Sequence, residues 1–330
     1  MRRALELAAR GRYSVSPNPM VGCLIVRDGN VIAEGWHQRA GEPHAEIEAL
    51  RNVDARGATM IVTLEPCAHH GRTPPCTDAI IAAGVSRVVV AMRDPHAVAA
   101  GGVEKLREAG IDVVTGVLEE EAHKLNEVFV HAVTHRRPFV LLKAGMTLDG
   151  KLATVTGESK WITSEAARQK SLELREEYDS ILAGAGTVRT DNPHLTRRLG
   201  WNTARAGWTR IILDRGRVVP PDAHVLTDGG RTIHIVDDAD LDALLADLYE
   251  RGIHSVIVEG GSQVISEFIR RGLWQKMIVF IAPMIVGGST APSIFSGDGV
   301  AKLTDAYRFQ FDRVEVVGGD VMITAYACVG

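Results

Sequence analysis

The sequence contains few cysteines, few aromatic residues and no long hydrophobic run. Four cysteines in 330 residues are too few for the disulfide framework of a small secreted protein. Phe, Trp and Tyr make up 5% of the chain, fewer than a stacking surface for single-stranded nucleic acid requires. The longest apolar stretch, residues 277–286, contains Pro283 and is too short to span a membrane. We therefore expect neither a nucleic-acid partner nor a membrane segment.

Neither sign of charge dominates the composition. The 37 Lys and Arg residues are balanced by 41 Asp and Glu residues, and the formal net charge of -4 argues against a general polyanion binder. The first residues, MRRALELAARG, include Glu6 and Arg10 and predict an amphipathic helix ending at Gly11 rather than a secretory leader. These features predict a cytoplasmic protein. Glycine is abundant, at 33 residues, and favours tight turns and close contacts between backbone and ligand.

The first 137 residues alternate between strand and helix patterns. A hairpin is predicted over residues 21–36, with Asp28 and Gly29 at its turn. Three strands and three helices follow, and then one long helix over residues 119–135. The strands are predicted at 60–64, 87–92 and 112–115, and the helices at 45–52, 77–83 and 103–109. This order is typical of a three-layer α/β/α domain over residues 1–137.

A polar and basic stretch, residues 134–138, ends in a helix-stopping proline and predicts a domain boundary. A second α/β series occupies residues 138–330. Its strands are predicted at 139–144, 180–183, 210–213, 232–236, 255–259, 277–281, 313–317 and 320–327, and its helices at 241–251 and 263–270. The sequence therefore predicts two α/β domains in tandem.

One histidine and two cysteines of the first half have the chemistry of a zinc site. His44 lies at a predicted helix start, and Cys67 and Cys76 follow the next strand. One imidazole and two thiolates suit zinc and leave the fourth tetrahedral position open to a water, whose pKa zinc lowers to about 7. Glu46, two residues from His44, can carry a proton from that water to a leaving amine. This is the arrangement of zinc deaminases.

A closed structural zinc site that serves binding alone is the alternative. His69 or His70 would then be the fourth ligand. The glutamate in register beside the histidine favours the open, catalytic site. The cysteine spacing departs from the C-x-x-C of zinc deaminases, because eight residues separate Cys67 from Cys76.

Three segments of the first half stand out as a set. They are residues 16–22 (SPNPMVG), 35–46 (GWHQRAGEPHAE) and 63–76 (TLEPCAHHGRTPPC). Together they closely resemble the bifunctional riboflavin-biosynthesis deaminase/reductase family, and the long insert between the cysteines is the most specific part. The resemblance implies a cytidine-deaminase-like α/β/α domain followed by a dihydrofolate-reductase-like α/β domain. It also implies that His44, Cys67 and Cys76 bind zinc and that Glu46 is the proton shuttle.

The resemblance further implies contacts with a phosphorylated pyrimidine substrate. The matching residues are Asn18, His37, His69, Arg72 and Asp94. One segment departs from the family pattern: the stretch after Asp94 is one residue shorter, with His96 in place of an asparagine and Ala100 in place of a glycine. This departure leaves an impaired deaminase half as an alternative.

Two strand–helix junctions of the second half carry glycines. Residues 183–187 (AGAGT) and 258–262 (VEGGS) each end a predicted strand, and they would present backbone N–H groups to a phosphate or form plain tight turns. Arg175 and Arg198 could clamp a phosphate monoester or lie solvated at the surface. No G-x-G-x-x-G follows the first strand of this half, so a Rossmann site is not expected.

Four motifs of the second half resemble the reductase domain of the same family. They are residues 142–151 (LKAGMTLDGK), 157–164 (GESKWITS), 186–193 (GTVRTDNP) and 258–261 (VEGG). The resemblance implies reduction of a ribosyl group to ribityl with NADPH, and places Lys143 near the reacting sugar. The implied substrate contacts are Ser159, Arg175, Leu195, Arg198 and Glu259. The implied cofactor contacts are Gly145, Trp161, Thr163, Thr187, Asp191 and Gly261.

The resemblance as a whole implies the second and third steps of riboflavin synthesis. Hydrolytic deamination of 2,5-diamino-6-ribosylamino-4(3H)-pyrimidinone 5′-phosphate would be followed by reduction to 5-amino-6-ribitylamino-uracil 5′-phosphate. The alternative among enzymes is a nucleoside or tRNA deaminase fused to an unrelated reductase. Members of the family tend to associate, which implies a homo-oligomer.

Overall fold

The computed structural model describes residues 1–69, 74–96, 100–204, 207–238 and 240–328. The chain forms two compact units, one of Met1–Arg137 with the described part of residues 201–206, and one of Pro138–Gly200 with the residues from Gly207 onward. Each unit has its own sheet and its own hydrophobic core. None of the helices in the described residues is long and apolar enough to cross a membrane.

The first unit contains five strands and six helices within the described residues. The strands are β1 (Gly22–Arg27), β2 (Asn30–Trp36), β3 (Thr59–Leu64), β4 (Arg87–Met92) and β5 (Asp112–Val114). The helices are α1 (Arg2–Ala8, extended by a 3-10 turn to Gly11), α2 (Ala45–Leu50), α3 (Cys76–Ala82), α4 (Gly102–Glu108), α5 (Glu119–Leu125) and α6 (Glu127–His135). The sheet order is β2-β1-β3-β4-β5, and β3, β4 and β5 are parallel.

Alternating side chains of the central strands face two separate cores. Leu24 and Ile61 pack with α1 on one side of the sheet. Ile25, Met60 and Val62 pack on the other side with residues from α2, α3 and α4. The period of two along each strand therefore produces the three-layer α/β/α arrangement.

A glycine in the edge strand brings α2 close to the sheet. A Cβ atom at Gly35 would lie 2.4 Å from the carbonyl oxygen of Ala45, so only glycine permits this approach. Ala45 is the first residue of α2, between His44 and Glu46. The glycine thus sets how close to the sheet α2 places the side chains of His44 and Glu46.

The single helix predicted over residues 119–135 is wrong, because the structure has two helices there, separated at Asn126. This residue has φ -104° and ψ 22° and is buried. Its Oδ1 accepts a hydrogen bond of 2.8 Å from the N–H of Met20, and its Nδ2 donates one of 2.9 Å to the Met20 carbonyl. The side-chain amide of Asn126 therefore bonds both backbone groups of Met20, as the backbone of a neighbouring strand would. We attribute the interruption of the helix at Asn126 to this pairing.

The second unit is built on an eight-stranded sheet. The strands are β6 (Phe139–Thr147), β7 (Ser180–Gly184), β8 (Thr209–Leu213), β9 (Thr232–Ile235), β10 (Ser255–Val258), β11 (Lys276–Ala282), β12 (Phe309–Val317) and β13 (Asp320–Ala327). The helices are α7 (Glu165–Glu177), α8 (Ala185–Asp191), α9 (His224–Thr227), α10 (Leu241–Glu250) and α11 (Ser262–Arg270). The sheet order is β12-β13-β11-β6-β10-β7-β8-β9.

The longest of the described helices, α7, was not predicted. Only Ala167, Leu174 and Glu176 of its 13 residues are buried, so the sequence shows little apolar periodicity there. The sequence does contain a helix N-cap there: the Ser164 side chain accepts a hydrogen bond of 3.3 Å from the N–H of Ala167.

Six neighbouring strands of the second unit, β11, β6, β10, β7, β8 and β9, run parallel, so their carboxyl ends meet at one edge of the sheet. Gly184, Asp214 and Glu259 lie at or just after three of these ends. The cavity of the second unit, described below, lies at this edge.

Candidate active sites

The structure brings His44, Cys67 and Cys76 together. His44 precedes the first turn of α2, Cys67 follows β3, and Cys76 begins α3. The Nδ1 atom of His44 lies 3.2 Å from Sγ of Cys76 and 3.7 Å from Sγ of Cys67. The backbone N–H of Cys76 donates to Sγ of Cys67 at 3.4 Å. The three ligand atoms all lie within 4.8 Å of one another.

These donors fit a zinc ion. Zinc bonds of about 2.0–2.3 Å in tetrahedral geometry place ligand atoms roughly 3.5–4 Å apart. The hydrogen bond between the two sulfurs lowers the pKa of Cys67 to about 4, which favours the thiolate that zinc requires. In the described part of the chain this cluster has three members and does not include His69, and His70 lies outside that part. Among the described residues the geometry therefore provides three ligands, and His69 is not a fourth.

Glu46 lies beside the three ligands without joining them. It sits in the first turn of α2 and is 3% exposed. Burial raises the pKa of its carboxyl, and the nearby His44 only partly opposes this. A carboxyl with a raised pKa exchanges protons more readily near neutral pH, which suits a general acid–base.

A cavity of about 540 Å³ opens onto this cluster. It is lined by His44, Glu46 and Cys67 and by most of the predicted substrate contacts. The predicted contacts among its lining residues are Asn18, His37, His69 and Asp94, together with the divergent His96. Arg72, the predicted phosphate contact, lies outside the described residues.

A short chain of hydrogen bonds orients Asn18 in this cavity. Burial lowers the pKa of His37, so its ring is neutral. Its Nδ1–H then donates to the Pro43 carbonyl at 3.1 Å, and its Nε2 accepts from Nδ2 of Asn18 at 3.0 Å. The side-chain amide of Asn18 is thereby held in one orientation at the cavity.

Two further side chains of the cavity, those of His69 and Asp94, differ in whether their polar atoms have hydrogen-bond partners. Nδ1 of His69 is buried and has no hydrogen-bond partner among the described residues. The Asp94 carboxylate accepts a bond of 2.8 Å from the backbone N–H of His96, and burial raises its pKa. The unpaired nitrogen of His69 is the kind of group that a bound ligand satisfies.

A larger cavity, of about 1180 Å³, lies at the carboxyl edge of the second sheet. Seven predicted site residues line it. They are Lys143, Gly145, Ser159, Thr187, Asp191, Glu259 and Gly261. The other predicted residues are not among its lining: they are Trp161, Thr163, Arg175, Leu195 and Arg198. Trp161 is exposed. Thr163 packs against Gly145, because a Cβ atom added at Gly145 would lie 3.0 Å from the Thr163 side chain.

Three charged side chains meet at the wall of this cavity. The Glu259 carboxylate accepts two hydrogen bonds of 2.8 Å from the Arg175 guanidinium, and its Oε2 lies 3.0 Å from Nζ of Lys143. Arg175 also donates to the Thr196 carbonyl at 3.1 Å. The guanidinium is thus engaged by the protein, and Lys143 is the cation of this group that lines the cavity.

The ion pairs of Glu259 predict how the free energy of unfolding changes as the pH is lowered. Burial alone would raise its pKa, but the charges of Arg175 and Lys143 overcome this and lower it from 4.5 to about 2. A lowered pKa in the folded protein means that Glu259 stabilises the fold fully above pH 4.5 and loses this contribution as the pH falls to about 2. We expect the difference in unfolding free energy between the wild type and Glu259→Gln to shrink across that interval. A difference that stays constant from pH 6 to about 2 would contradict the assignment.

Glycines shape the cavity floor at two strand ends. A Cβ atom at Gly260 would lie 3.0 Å from the backbone nitrogen of Gly184, and one at Gly184 would lie 2.8 Å from Val264. The N–H of Gly261 donates to the Thr187 hydroxyl at 3.1 Å, just before α11 begins. Side chains at Gly260 and Gly184 would crowd these neighbours, so the two strand ends lie close together as bare backbone.

The segment that carries Leu195 and Arg198 is held by side chains that sequence reasoning missed. The backbone at Leu195 has a positive φ of 49°. Its carbonyl accepts a bond of 2.7 Å from Trp208, and the preceding carbonyl, of His194, accepts one of 2.9 Å from the fully buried Arg210. Arg210 was unremarkable in the sequence because its carboxylate partner, Asp228, lies 18 residues further along the chain.

Two family models match the chain, one on each half. The model of the cytidine and deoxycytidylate deaminase zinc-binding region matches residues 1–92. The model of the RibD C-terminal domain matches residues 138–323.

Relatives match over nearly the whole length. The riboflavin biosynthesis protein RibD of Escherichia coli (strain K12) is 42% identical over 359 residues, covering 98% of this chain and 97% of the relative. RibD of Bacillus amyloliquefaciens is 41% identical, covering 98% of this chain and 95% of the relative.

A solved structure shows the same agreement. The crystal structure of a diaminohydroxyphosphoribosylaminopyrimidine deaminase/5-amino-6-(5-phosphoribosylamino)uracil reductase from Thermotoga maritima has a TM-score of 0.90. It is 43% identical and covers 99% of this chain and 97% of its own. The predicted resemblance and fold class are confirmed, and the chain belongs to the RibD family of riboflavin-biosynthesis deaminase/reductases.

Proposed function

We propose that this chain deaminates 2,5-diamino-6-ribosylamino-4(3H)-pyrimidinone 5′-phosphate and then reduces the ribosyl group of the product to ribityl. The observation that carries the proposal is the open His44–Cys67–Cys76 cluster with buried Glu46 at the wall of the same cavity. A binding-only zinc module has no need of a buried, unligated glutamate at that place.

The first unit would perform the hydrolysis. Zinc, when bound by His44, Cys67 and Cys76, supplies a Lewis acid that makes hydroxide accessible at neutral pH. Glu46 accepts a proton from the attacking water and delivers it to the leaving amino group, so ammonia departs. Asn18, held by His37, orients the pyrimidine, and Asp94 and His69 lie on the same cavity wall.

The second unit would perform the reduction. NADPH, when bound, supplies the hydride for C1′ of the ribosyl group. Gly184, Gly260 and Gly261 offer the backbone surface for the cofactor. Lys143 faces the cavity and is held by Glu259, and it can give a proton to the ring oxygen as the C1′–O bond opens. Arg175 acts by fixing Glu259.

The proposal extends to assembly and location. A homo-oligomer is supported by the edge strand β12, on which Phe311, Val314 and Val316 are 60% or more exposed. Sedimentation of the purified chain tests it, and a monomer at micromolar concentration would contradict it.

The cytoplasm is the proposed location, on the basis of the low cysteine content, and cell fractionation tests it.

Removal of the metal should separate the two activities. We expect a chelated sample to lose ammonia release from the diaminopyrimidine substrate, because the cluster of the first unit is emptied. NADPH oxidation with the already deaminated substrate should be unchanged. Added Zn²⁺ should restore ammonia release. Ammonia release that survives complete zinc removal, verified by metal analysis, would refute the zinc assignment.

A further inference from the structure

Glu65 is a fully buried carboxylate that the functions described so far do not use. It directly follows β3 and precedes Pro66 and Cys67. Its side chain is 0% exposed, and the residue is among those that line the cavity of the His44–Cys67–Cys76 cluster. A buried carboxylate is retained only when its partners compensate its desolvation, so its contacts indicate what it does.

Each oxygen of Glu65 binds a different end of one connection. Oε2 accepts from the backbone N–H of Asp94 at 3.1 Å and contacts Nε of Arg93 at 3.1 Å. Oε1 accepts from the backbone N–H groups of Gly101 at 3.2 Å and Val103 at 2.9 Å. The carboxylate therefore ties the end of β4 to the beginning of α4.

The connection between these ends carries Asp94 and His96 into the cavity. A second contact places its far end: a Cβ atom at Gly102 would lie only 1.8 Å from the Pro66 carbonyl oxygen. The start of α4 thus rests on the backbone between Glu65 and the ligand Cys67. A change at Glu65 would therefore act on the part of the cavity wall that Asp94 and His96 form.

We propose that Glu65 is a positioning residue for the deaminase substrate, acting through the backbone of Asp94, Gly101 and Val103. Its carboxylate bonds to backbone N–H groups and to Arg93, and the His44–Cys67–Cys76 cluster does not include it. Its role is to hold the Asp94–His96 wall at the distance that the substrate requires. This inference rests on the proposed deaminase activity for its kinetic readout but not for its structural one.

Two substitutions test the role. In Glu65→Gln one carboxylate oxygen becomes an NH₂ group, which cannot accept from the N–H groups that face it, so one end of the connection is released. Glu65→Ala releases both ends. A displacement of about 1 Å can cost on the order of a hundredfold in kcat/KM. Because the released wall would hold the substrate rather than the zinc ligands, we expect most of this loss in KM, with a rise of about tenfold for the diaminopyrimidine in Glu65→Gln, a further rise in Glu65→Ala and a smaller change in kcat.

Three readouts distinguish positioning from general damage. Zinc content and NADPH oxidation with deaminated substrate should equal those of the wild type. Hydrogen exchange at the amides of Asp94, Gly101 and Val103 should accelerate. Glu104→Gln is the matched control, because Glu104 also binds Arg93, at 2.7 and 2.9 Å, yet is exposed, whereas the backbone N–H groups of Asp94, Gly101 and Val103 donate to Glu65.

Unchanged KM together with unchanged exchange in Glu65→Gln would overturn the inference. Loss of zinc in parallel with KM would also overturn it, because the carboxylate would then act through Cys67. A wild type that releases no ammonia would instead refute the proposed function, and the exchange measurement would still test the Glu65 contacts.

Discussion

Glu46→Gln should abolish ammonia release while leaving the second activity intact. The substitution preserves the shape of the side chain but removes its ability to accept and deliver a proton beside the His44–Cys67–Cys76 cluster. General acid–base groups contribute about 10²–10⁴ in rate, and here one group serves both the attacking water and the leaving amine. We expect a loss in kcat of at least about 10³, measured by ammonia release from the diaminopyrimidine.

The control for this variant is Glu48→Gln, in the same helix. Glu48 pairs with the exposed Arg51 at 2.8 Å and is not among the residues that line the cavity. Glu48→Gln should keep wild-type deamination. Glu46→Gln should retain its zinc and should oxidise NADPH normally with deaminated substrate. A Glu46→Gln protein that deaminates within about threefold of the wild type would contradict the assignment of the proton shuttle.

Glu259→Gln should disable the reductase and destabilise the second unit. The change leaves the Lys143 and Arg175 cations side by side without their shared carboxylate, and their side chains are only 15% and 12% exposed. Breaking a buried ion pair in this way costs about 3–5 kcal/mol. For a unit of this size we expect the melting temperature to fall by on the order of 10 °C. NADPH oxidation should fall by about 10² or more, because Lys143 is no longer held at the cavity wall.

A surface pair provides the comparison. Lys170 and Glu173 are 2.9 Å apart on α7 and partly exposed, so Glu173→Gln should change stability by less than about 1 kcal/mol. Deamination should persist in Glu259→Gln at a temperature where the first unit remains folded. A Glu259→Gln protein that is as stable and as active in reduction as the wild type would show that the Lys143–Glu259–Arg175 cluster has no such role.

The sequence predicts the first unit well because its signals are local. The Asp28-Gly29 turn and the apolar strands lie where the hairpin and buried-strand patterns place them, and β4 matches its predicted bounds. The zinc cluster was found from spacing and ligand chemistry, since few residue types bind zinc. The family resemblance supplied the predicted substrate contacts that spacing alone does not indicate, such as Asn18 and His37, and both line the cavity.

The features that sequence reasoning missed depend on contacts between distant residues. Asn126 interrupts a helical pattern because its amide pairs with Met20, which no local propensity indicates. The carboxylate of Glu65 acquires its role only when β4 and α4 are placed beside it. Arg175 was proposed to clamp a phosphate or lie solvated, and the structure instead pairs it with Glu259, far along the chain. Tertiary partners decided each of these roles.

The most direct test of the whole account is one coupled assay on the intact, zinc-loaded chain. The diaminopyrimidine substrate and NADPH are supplied together, and ammonia and NADPH are followed in the same sample. We expect one ammonia to be released for each NADPH oxidised, with ammonia appearing first. Oxidation of NADPH only when the substrate has already been deaminated would contradict the account, because the cluster at His44, Cys67 and Cys76 would then not support deamination.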